Sequence, residues 1–383
     1  MRLLHTADWQ LGLRAAQVGE RAAEGRAERL RALERTVALA HRLEVDLVLA
    51  AGDLFDHHEV SESLLREALG LLERLAPIRV ALLPGNHDPL VEGGVWSRRA
   101  WRDVGSHIAV LDRAEEIEIL PGVALYPCPL RQKRSVQDPT AWIPVRRKDD
   151  RRLRLGVAHG ALDSLQVESN FPIARDRAEL CGLDYLALGD WHGVLIQDRS
   201  CYPGTFEQSA FDERLPGYVL LVELDQESDP KRRQPPRVEQ HRVGRLRWQQ
   251  LEVEVRDLTD VERLRAEIST LGSPADLLLR VWLRAEGLDE TARRALDRLE
   301  EELERSVLFL EWRVDQLGLQ AWSPEDGGLG VLADVDRTLA SLVAGEKPSP
   351  ELEALLGDAD VELLREARLS LRRLAARREV PAG

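Results

Sequence analysis

Five largely apolar runs of six residues punctuate the first half of the chain, and each stops at glycine, proline or a polar residue. They are Arg2–Ala7, Asp46–Ala51, Ile78–Leu83, Leu153–Ala158 and Leu183–Leu188. Runs of this length, ended by turn formers, read as strands buried on both faces. Between the first three lie two amphipathic helices. One spans about Glu24 to Leu43, with Leu30, Leu33, Val37 and Ala40 at helical spacing; the other spans Ser61 to Leu75, with Ser61 as its N-cap. Strand-helix-strand-helix-strand predicts a parallel sheet with crossover helices. From Gly217 to Leu224 the pattern turns to antiparallel hairpins, so the expected architecture is α/β with two packed sheets and outer helices.

A polar loop with three prolines, Gln226 to Arg237, ends this region. Beyond Arg247 the order becomes strand Leu251–Val255, helix from Thr259, strand Leu277–Leu283, helix from Asp289 and strand Val307–Val314, a separate βαβαβ unit. Helices broken by Gly327-Gly328 and by Pro348-Ser349-Pro350 close the chain. The expected domains are residues 1–245, 246–322 and a helical segment 323–383.

The strand ends carry the chemistry. Asp8 and Gln10, Asp53, Asn86 and His87, His159, and Asp190 with His192 follow the five runs. In an open α/β sheet such ends share one edge, where ligands bind. Hard oxygen donors mixed with imidazole suit manganese, iron or magnesium better than a structural zinc. A carboxylate bridging two ions is the core of a two-metal hydrolase, and Asp53 on the central strand is the natural bridge.

The succession Asp8-x-Gln10, Gly52-Asp53, Gly85-Asn86-His87-Asp88, Gly156-x-x-His159-Gly160 and Gly189-Asp190-x-His192 resembles the calcineurin-like metallophosphoesterases. Within them, His5-Thr6-Ala7-Asp8-Trp9, Gly52-Asp53-Leu54-Phe55-Asp56 and Tyr202-Pro203-Gly204-Thr205-Phe206-Glu207 resemble the SbcD-type DNA repair nucleases, the meiotic recombination eleven family. The resemblance implies a four-layer α/β/β/α sandwich over about residues 1–225, followed by a small βαβαβ capping domain. It also implies two divalent metal ions, most readily manganese, with magnesium or iron as alternatives. One ion takes Asp8, Gln10, Asp53 and His192; the other takes Asp53, Asn86, His159 and Asp190. His87 then faces the scissile phosphate and protonates the leaving oxygen, while a metal-bridging hydroxide attacks. The implied function is 3′-to-5′ exonuclease and single-strand endonuclease activity in double-strand break repair. The implied partners are DNA, a second copy of the chain and an SMC-like coiled-coil ATPase.

Two positions depart from the family pattern, which has histidine where Gln10 and Asp190 stand. An amide oxygen ligates more weakly than imidazole, and Asp190 brings the carboxylates to three with Asp8 and Asp53. That charge favours a tighter second ion, weaker Lewis acidity and a shift toward manganese or magnesium. Two competing readings are a small-molecule phosphodiesterase or phosphatase and a non-catalytic DNA-binding scaffold with a degenerate metal site.

Composition narrows the setting. No apolar leader and no stretch of membrane-spanning length occurs, and three scattered cysteines (Cys128, Cys181, Cys201) form neither a zinc spacing nor a disulfide framework. The expectation is a cytoplasmic protein with no membrane. A net charge of −14 argues against coating nucleic acid through bulk positive charge, though not against a local basic patch. Arg131, Lys133, Arg134, Arg146, Arg147, Lys148, Arg151, Arg152 and Arg154 form the densest basic stretch, read either as phosphate contacts or as a solvated loop. Trp142 and Trp191 either stack on bases or anchor loops. Arg98, Arg99 and Arg102, beside Trp96 and Trp101, suggest a helix face for DNA or a second copy. The C-terminal Leu363, Leu364, Ala367, Leu371 and Leu374 suggest a face that docks on a partner or on its own domain. Asp56 and Asp88 read as loop braces, His57 and His58 as solvated, and His5, His41, His107 and His241 as structural.

Overall fold

The computed structural model describes residues 1–13, 22–163, 170–213, 215–227, 229–285, 288–315 and 330–343, with 363–364, 367–368 and 371 beyond them. Its first elements alternate as the apolar runs predict. They are β1 (Arg2–Thr6), α1 (Ala22–Arg42), β2 (Leu47–Ala51), α2 (Glu62–Glu73), β3 (Arg79–Leu83) and β4 (Ile108–Val110). The Ser61 side chain accepts a hydrogen bond from Leu64 N at the start of α2, as an N-cap should. Next come β5 (Ile117–Leu120), β6 (Val123–Cys128), β7 (Leu153–His159), α3 (Arg177–Cys181), β8 (Tyr185–Gly189), β9 (Leu195–Gln197), β10 (Ser200–Tyr202), β11 (Tyr218–Glu223) and β12 (Arg237–Arg242).

Two six-stranded sheets result, in the orders β12-β11-β1-β2-β3-β4 and β5-β6-β7-β8-β10-β9. β1 to β4 are parallel, with Thr6 beside Ala50 and Ala51 beside Leu83. In the second sheet β6, β7 and β8 are parallel, with Cys128 beside Ala158 and His159 beside Gly189. Antiparallel β11 and β12 complete the first sheet, which is the predicted hairpin.

The period of two along each strand divides the core into layers. Leu3, Leu47, Leu49 and Leu83 pack against Leu125, Leu155, Val157 and Tyr185 between the sheets. The alternate residues Leu4, Val48, Ala50, Val80 and Leu82 face Leu33, Val37 and Ala40 of α1 and Leu65, Ala68 and Leu72 of α2. On the far side Tyr126, Ala158, Leu186 and Leu188 pack with Ile143, Ile173 and Ala178. The order is α/β/β/α, although α3 is short and irregular segments supply the rest of its layer. Arg98, Arg99 and Arg102 do not form a continuous helix face. Two 3-10 turns, Val95–Ser97 and Arg99–Asp103, hold them, with the Trp96 and Trp101 rings stacked at 4.9 Å.

Later in the chain β13 (Arg247–Val255), α4 (Leu258–Thr270), β14 (Leu277–Ala285), α5 (Glu290–Ser306) and β15 (Phe309–Asp315) follow, and the strands form a sheet in the order β13-β14-β15. Helix α6 spans Gly330–Val343. Gly327-Gly328, Pro348-Ser349-Pro350 and Leu374 lie outside the described residues. Two compact units divide the chain. One holds Met1–Gln250, Ser269–Arg280 and Leu303–Glu311; the other holds Leu251–Ile268, Val281–Glu302 and Trp312–Gly383. Among the described residues no helix is long and apolar enough to cross a membrane. The three cysteines are buried free thiols.

His5, buried on β1, places Nδ1 2.8 Å from the Tyr185 hydroxyl across the sheet interface. Burial pushes its pKa down to about 3, against a backbone hydrogen bond near Leu188 that raises it. The folded protein therefore keeps His5 neutral, whereas the unfolded chain takes up a proton below pH 6.5. Its contribution to stability is complete above pH 6.5 and is lost as pH falls toward 3. In urea unfolding measured between pH 7 and pH 4, His5→Asn should flatten the acid loss of stability by up to about 1.4 kcal/mol per pH unit. Parallel pH profiles for the two proteins would refute this role.

Candidate metal centre

Strand ends from both sheets meet at one edge. After β1 the chain turns so that Asp8 N donates to Gly52 O at 3.1 Å and Gln10 N to Asp53 O at 2.9 Å. The loops following β1 and β2 therefore run side by side. Asp8 (φ 52°), Gln10 (φ 43°), Asp53 (φ 53°) and Asp190 (φ 94°) all adopt left-handed backbone, which costs an L-residue energy and is typical of functional sites. Gly85 makes the close approach possible: a Cβ there would overlap Asp53 Oδ1 and the Asp53 backbone nitrogen.

Asp8, Asp53 and His159 are buried, and each offers a ligand atom within 4.8 Å of the others. His159 Nδ1–H donates to Ala51 O at 2.8 Å, which fixes the tautomer and turns Nε2 into the site. Around Nε2 stand Asn86 Oδ1 at 3.1 Å, Asp53 Oδ2 at 3.4 Å and Asp190 Oδ1 at 3.7 Å. A nitrogen lone pair among oxygens is repelled unless a proton or a metal lies between them. Turning the Asn86 amide would relieve one of the three contacts, but ionised carboxylates have no N–H to offer. The donor set therefore fits a hard divalent cation.

The protonation behaviour shows the same shortage of positive charge. Burial, reinforced by Asp53 and Asp190, pushes Asp8 up to about 7 despite His159 and His192. Asp190 is raised by burial, with Asp53 adding to it. Burial would lower His159, yet the charge and hydrogen bond of Asp53, with Asp8 and Asp190, hold it well above its ordinary value. Burial would likewise raise Asp53, but His159 and His87 keep it below the usual carboxylate range. Protons held here are given up when a cation binds.

His192 and Gln10 form an adjoining pair. Glu213 Oε1 accepts from His192 Nδ1–H at 2.9 Å, and the Gln10 amide lies 3.1 Å from His192 Nε2. In this arrangement Gln10 and His192 satisfy each other; both can face a cation when the amide turns to present its oxygen. His87 is outermost, with a side chain 46 % exposed. Its backbone N donates to Asp53 Oδ1 at 2.8 Å and its Nδ1–H to Asp56 O at 3.0 Å, leaving Nε2 3.9 Å from Asp53 Oδ2.

Asp88 is the brace its place in the Gly85 loop suggests, since its two oxygens accept from Gly85 N and Phe55 N. Other supporting groups carry little or no signal in the sequence. The carbonyl of Ala51 has none. Buried Arg29 donates to Trp9 O at 2.6 Å and Glu207 O at 3.1 Å, behind the Asp8 loop. Glu213, 5 % exposed, also accepts from Ser209 N, Ser209 Oγ and Ala210 N. Its only signal is a place six residues after the Tyr202–Glu207 motif. A partner that orients a metal-binding histidine is worth about 10- to 100-fold in metal affinity. Glu213→Gln should weaken manganese binding by that factor in calorimetric titration, with the folded near-ultraviolet circular dichroism retained. Unchanged affinity would assign Glu213 to loop structure alone.

Residues 1–194 match the family model described as calcineurin-like phosphoesterase. The chain is also 27 % identical over 344 residues to the uncharacterized metallophosphoesterase YhaO of Bacillus subtilis (strain 168), an alignment covering 81 % of this chain and 80 % of that protein. With a family match over half its length and oxygen-rich strand ends gathered at one sheet edge, the chain belongs to the calcineurin-like phosphoesterase family, whose chemistry is metal-dependent phosphoester hydrolysis.

Proposed function

We propose that the chain is a two-metal DNA nuclease of the SbcD type, hydrolysing phosphodiester bonds with 3′-to-5′ exonuclease and single-strand endonuclease activity in double-strand break repair. The observation that carries the hydrolytic part is His159 Nε2 set among the side-chain oxygens of Asn86, Asp53 and Asp190. The polymer substrate rests on the motifs shared with that family and on the second compact unit. On this reading one cation is held by Asp8, Gln10, Asp53 and His192, the other by Asp53, Asn86, His159 and Asp190. When bound, the two cations supply Lewis acidity toward phosphoryl oxygens and lower the pKa of water at the site. Manganese suits three carboxylates and two imidazoles, with magnesium or iron as alternatives. A cytoplasmic homodimer working with an SMC-like coiled-coil ATPase belongs to the same reading.

The protein's own contribution beyond ligation centres on His87. Its Nδ1–H is tied to Asp56 O, so Nε2 is the atom free to meet substrate, and its exposure lets a phosphodiester approach from solvent. Protonated Nε2 stabilises charge on the phosphoryl oxygen and delivers the proton to the leaving oxygen. A reduced site, holding one metal or none in a DNA-binding scaffold, has one observation in its favour: Gln10 is engaged with His192.

Two measurements decide between these. Full-length protein reconstituted with manganese should carry two ions per chain by mass spectrometry and degrade end-labelled DNA. Two ions with turnover of bis(4-nitrophenyl) phosphate but not DNA would shift the reading to a small-molecule phosphodiesterase. One ion or none, with DNA bound and uncut, would establish the scaffold. Separately, His87→Ala should lower the cleavage rate by about 10²- to 10⁴-fold while leaving metal stoichiometry intact. Equal loss of both would sink the role assigned to His87.

A further inference from the structure

The basic stretch from Arg131 to Arg154 divides into two groups at opposite ends of the second sheet. Arg154 is buried, donating to the Tyr126 hydroxyl, Cys181 O and Pro144 O. Arg146 is bound to Asp184 at 2.6 Å and Arg152 to Glu116 and Asp150, while Arg147 pairs with Asp149 at the surface. All of these precede or open β7, whose other end is His159. Six residue steps at about 3.3 Å put Leu153 roughly 20 Å from His159. Four of its members are ion-paired, and all of it lies at the wrong edge.

Arg131, Lys133 and Arg134 leave the sheet at the correct edge. They follow β6, whose last residue Cys128 pairs with Ala158, the neighbour of His159. Two site loops then pin the segment. At its start Leu130 N donates to Pro84 O at 3.3 Å, beside Asn86 and His87, and Leu130 O accepts from Leu90 N at 2.8 Å. At its far end Asn170 Nδ2 donates to Lys133 O at 2.9 Å, and Ser135 O accepts from Phe171 N at 2.9 Å. Phe171 in turn lies against Gly160, the residue after His159.

The three basic side chains are exposed, as is neighbouring Val136 at 88 %. Among the described residues Lys133 and Arg134 have no ion-pair partner, and Arg131 makes one hydrogen bond, to Asp112 O. Asp138, the nearest acid in sequence, is already engaged by Arg177 and Thr140. The geometry points to Arg131, Lys133 and Arg134 as a phosphate-binding rim that grips the nucleic-acid strand beside the scissile bond. In a chain of net charge −14 with three carboxylates at its site, a polyanion needs such local cations. This assignment rests on the nuclease reading and names the residues that hold its substrate.

The test uses manganese-loaded full-length protein on end-labelled single-stranded DNA over a range of salt. Lys133→Gln/Arg134→Gln should raise KM about tenfold. It should also reduce the log–log salt slope of binding by about 1.4, at ~0.7 for each phosphate no longer neutralised. The ratio of DNA turnover to bis(4-nitrophenyl) phosphate turnover should fall about tenfold. Lys148→Gln/Arg151→Gln, at the opposite sheet end, should match the wild type in all three. Wild-type KM and salt slope in the first variant, with DNA still cut, would overturn the rim alone. If the wild-type protein turns over bis(4-nitrophenyl) phosphate but neither binds nor cuts DNA, the nuclease reading fails and the rim falls with it.

Discussion

The hydrogen bond from His159 Nδ1–H to Ala51 O joins the end of β7 in one sheet to the end of β2 in the other. Its length, 2.8 Å, holds the two sheet edges together where the functional residues emerge. It also decides which imidazole nitrogen is free, and so turns the second-sheet histidine toward the first-sheet Asp53. Without it the strand ends would carry suitable side chains but no common centre. Gly189 shows how tight the contact is, since a Cβ there would overlap Ala51 O and press on His159 Nδ1. A small residue at that point is a condition for the sheets to meet.

Gathering three carboxylates at a water-poor edge is electrostatically unfavourable, and the surrounding structure offsets this in layers. Nearest the centre are His159, whose affinity for protons is raised by Asp53, Asp8 and Asp190 against its burial, and His192, whose affinity is raised by its hydrogen bond to Glu213 and by Asp8. Further out, Arg29 holds the Trp9 carbonyl between the two left-handed residues Asp8 and Gln10. Thr205 Oγ1 donates to Asp8 O, and Asp190 N donates to the Asp8 carboxylate. The strained backbone persists because many bonds over-determine it. A hard cation is the charge that completes such a cluster, in keeping with the metal-dependent phosphoester hydrolysis of the family.

Much of this is legible in the sequence. The five apolar runs appear as five parallel strands, Ser61 caps α2, Asp88 braces the loop of Gly85, and His5 is a structural histidine. The candidate site residues can be found because each lies at or a few residues beyond the end of a strand, and parallel strands deliver their ends to one edge. The supporting groups cannot. Glu213 lies in an irregular segment with no periodicity, and the Ala51 carbonyl is backbone. The nine basic residues form one patch along the chain, while β7 separates them in space by its whole length. The Trp96–Trp101 segment has the aromatic and basic spacing of a helix, but it is two 3-10 turns whose tryptophan N–H groups bond to Asp88 O and Val95 O.

What the sequence by itself determined was the alternation of strands and helices, the family and the set of candidate ligands. Those are written in hydrophobic periodicity and in residue types at strand ends, which are local properties. Tertiary structure alone decided which nitrogen of His159 faces the carboxylates, that Gln10 and His192 pair with each other, that Glu213 stands behind them, and which arginines remain exposed near the site. Each depends on partners 21 to 182 residues apart, and contacts at that range follow from how two sheets pack, which no local pattern encodes.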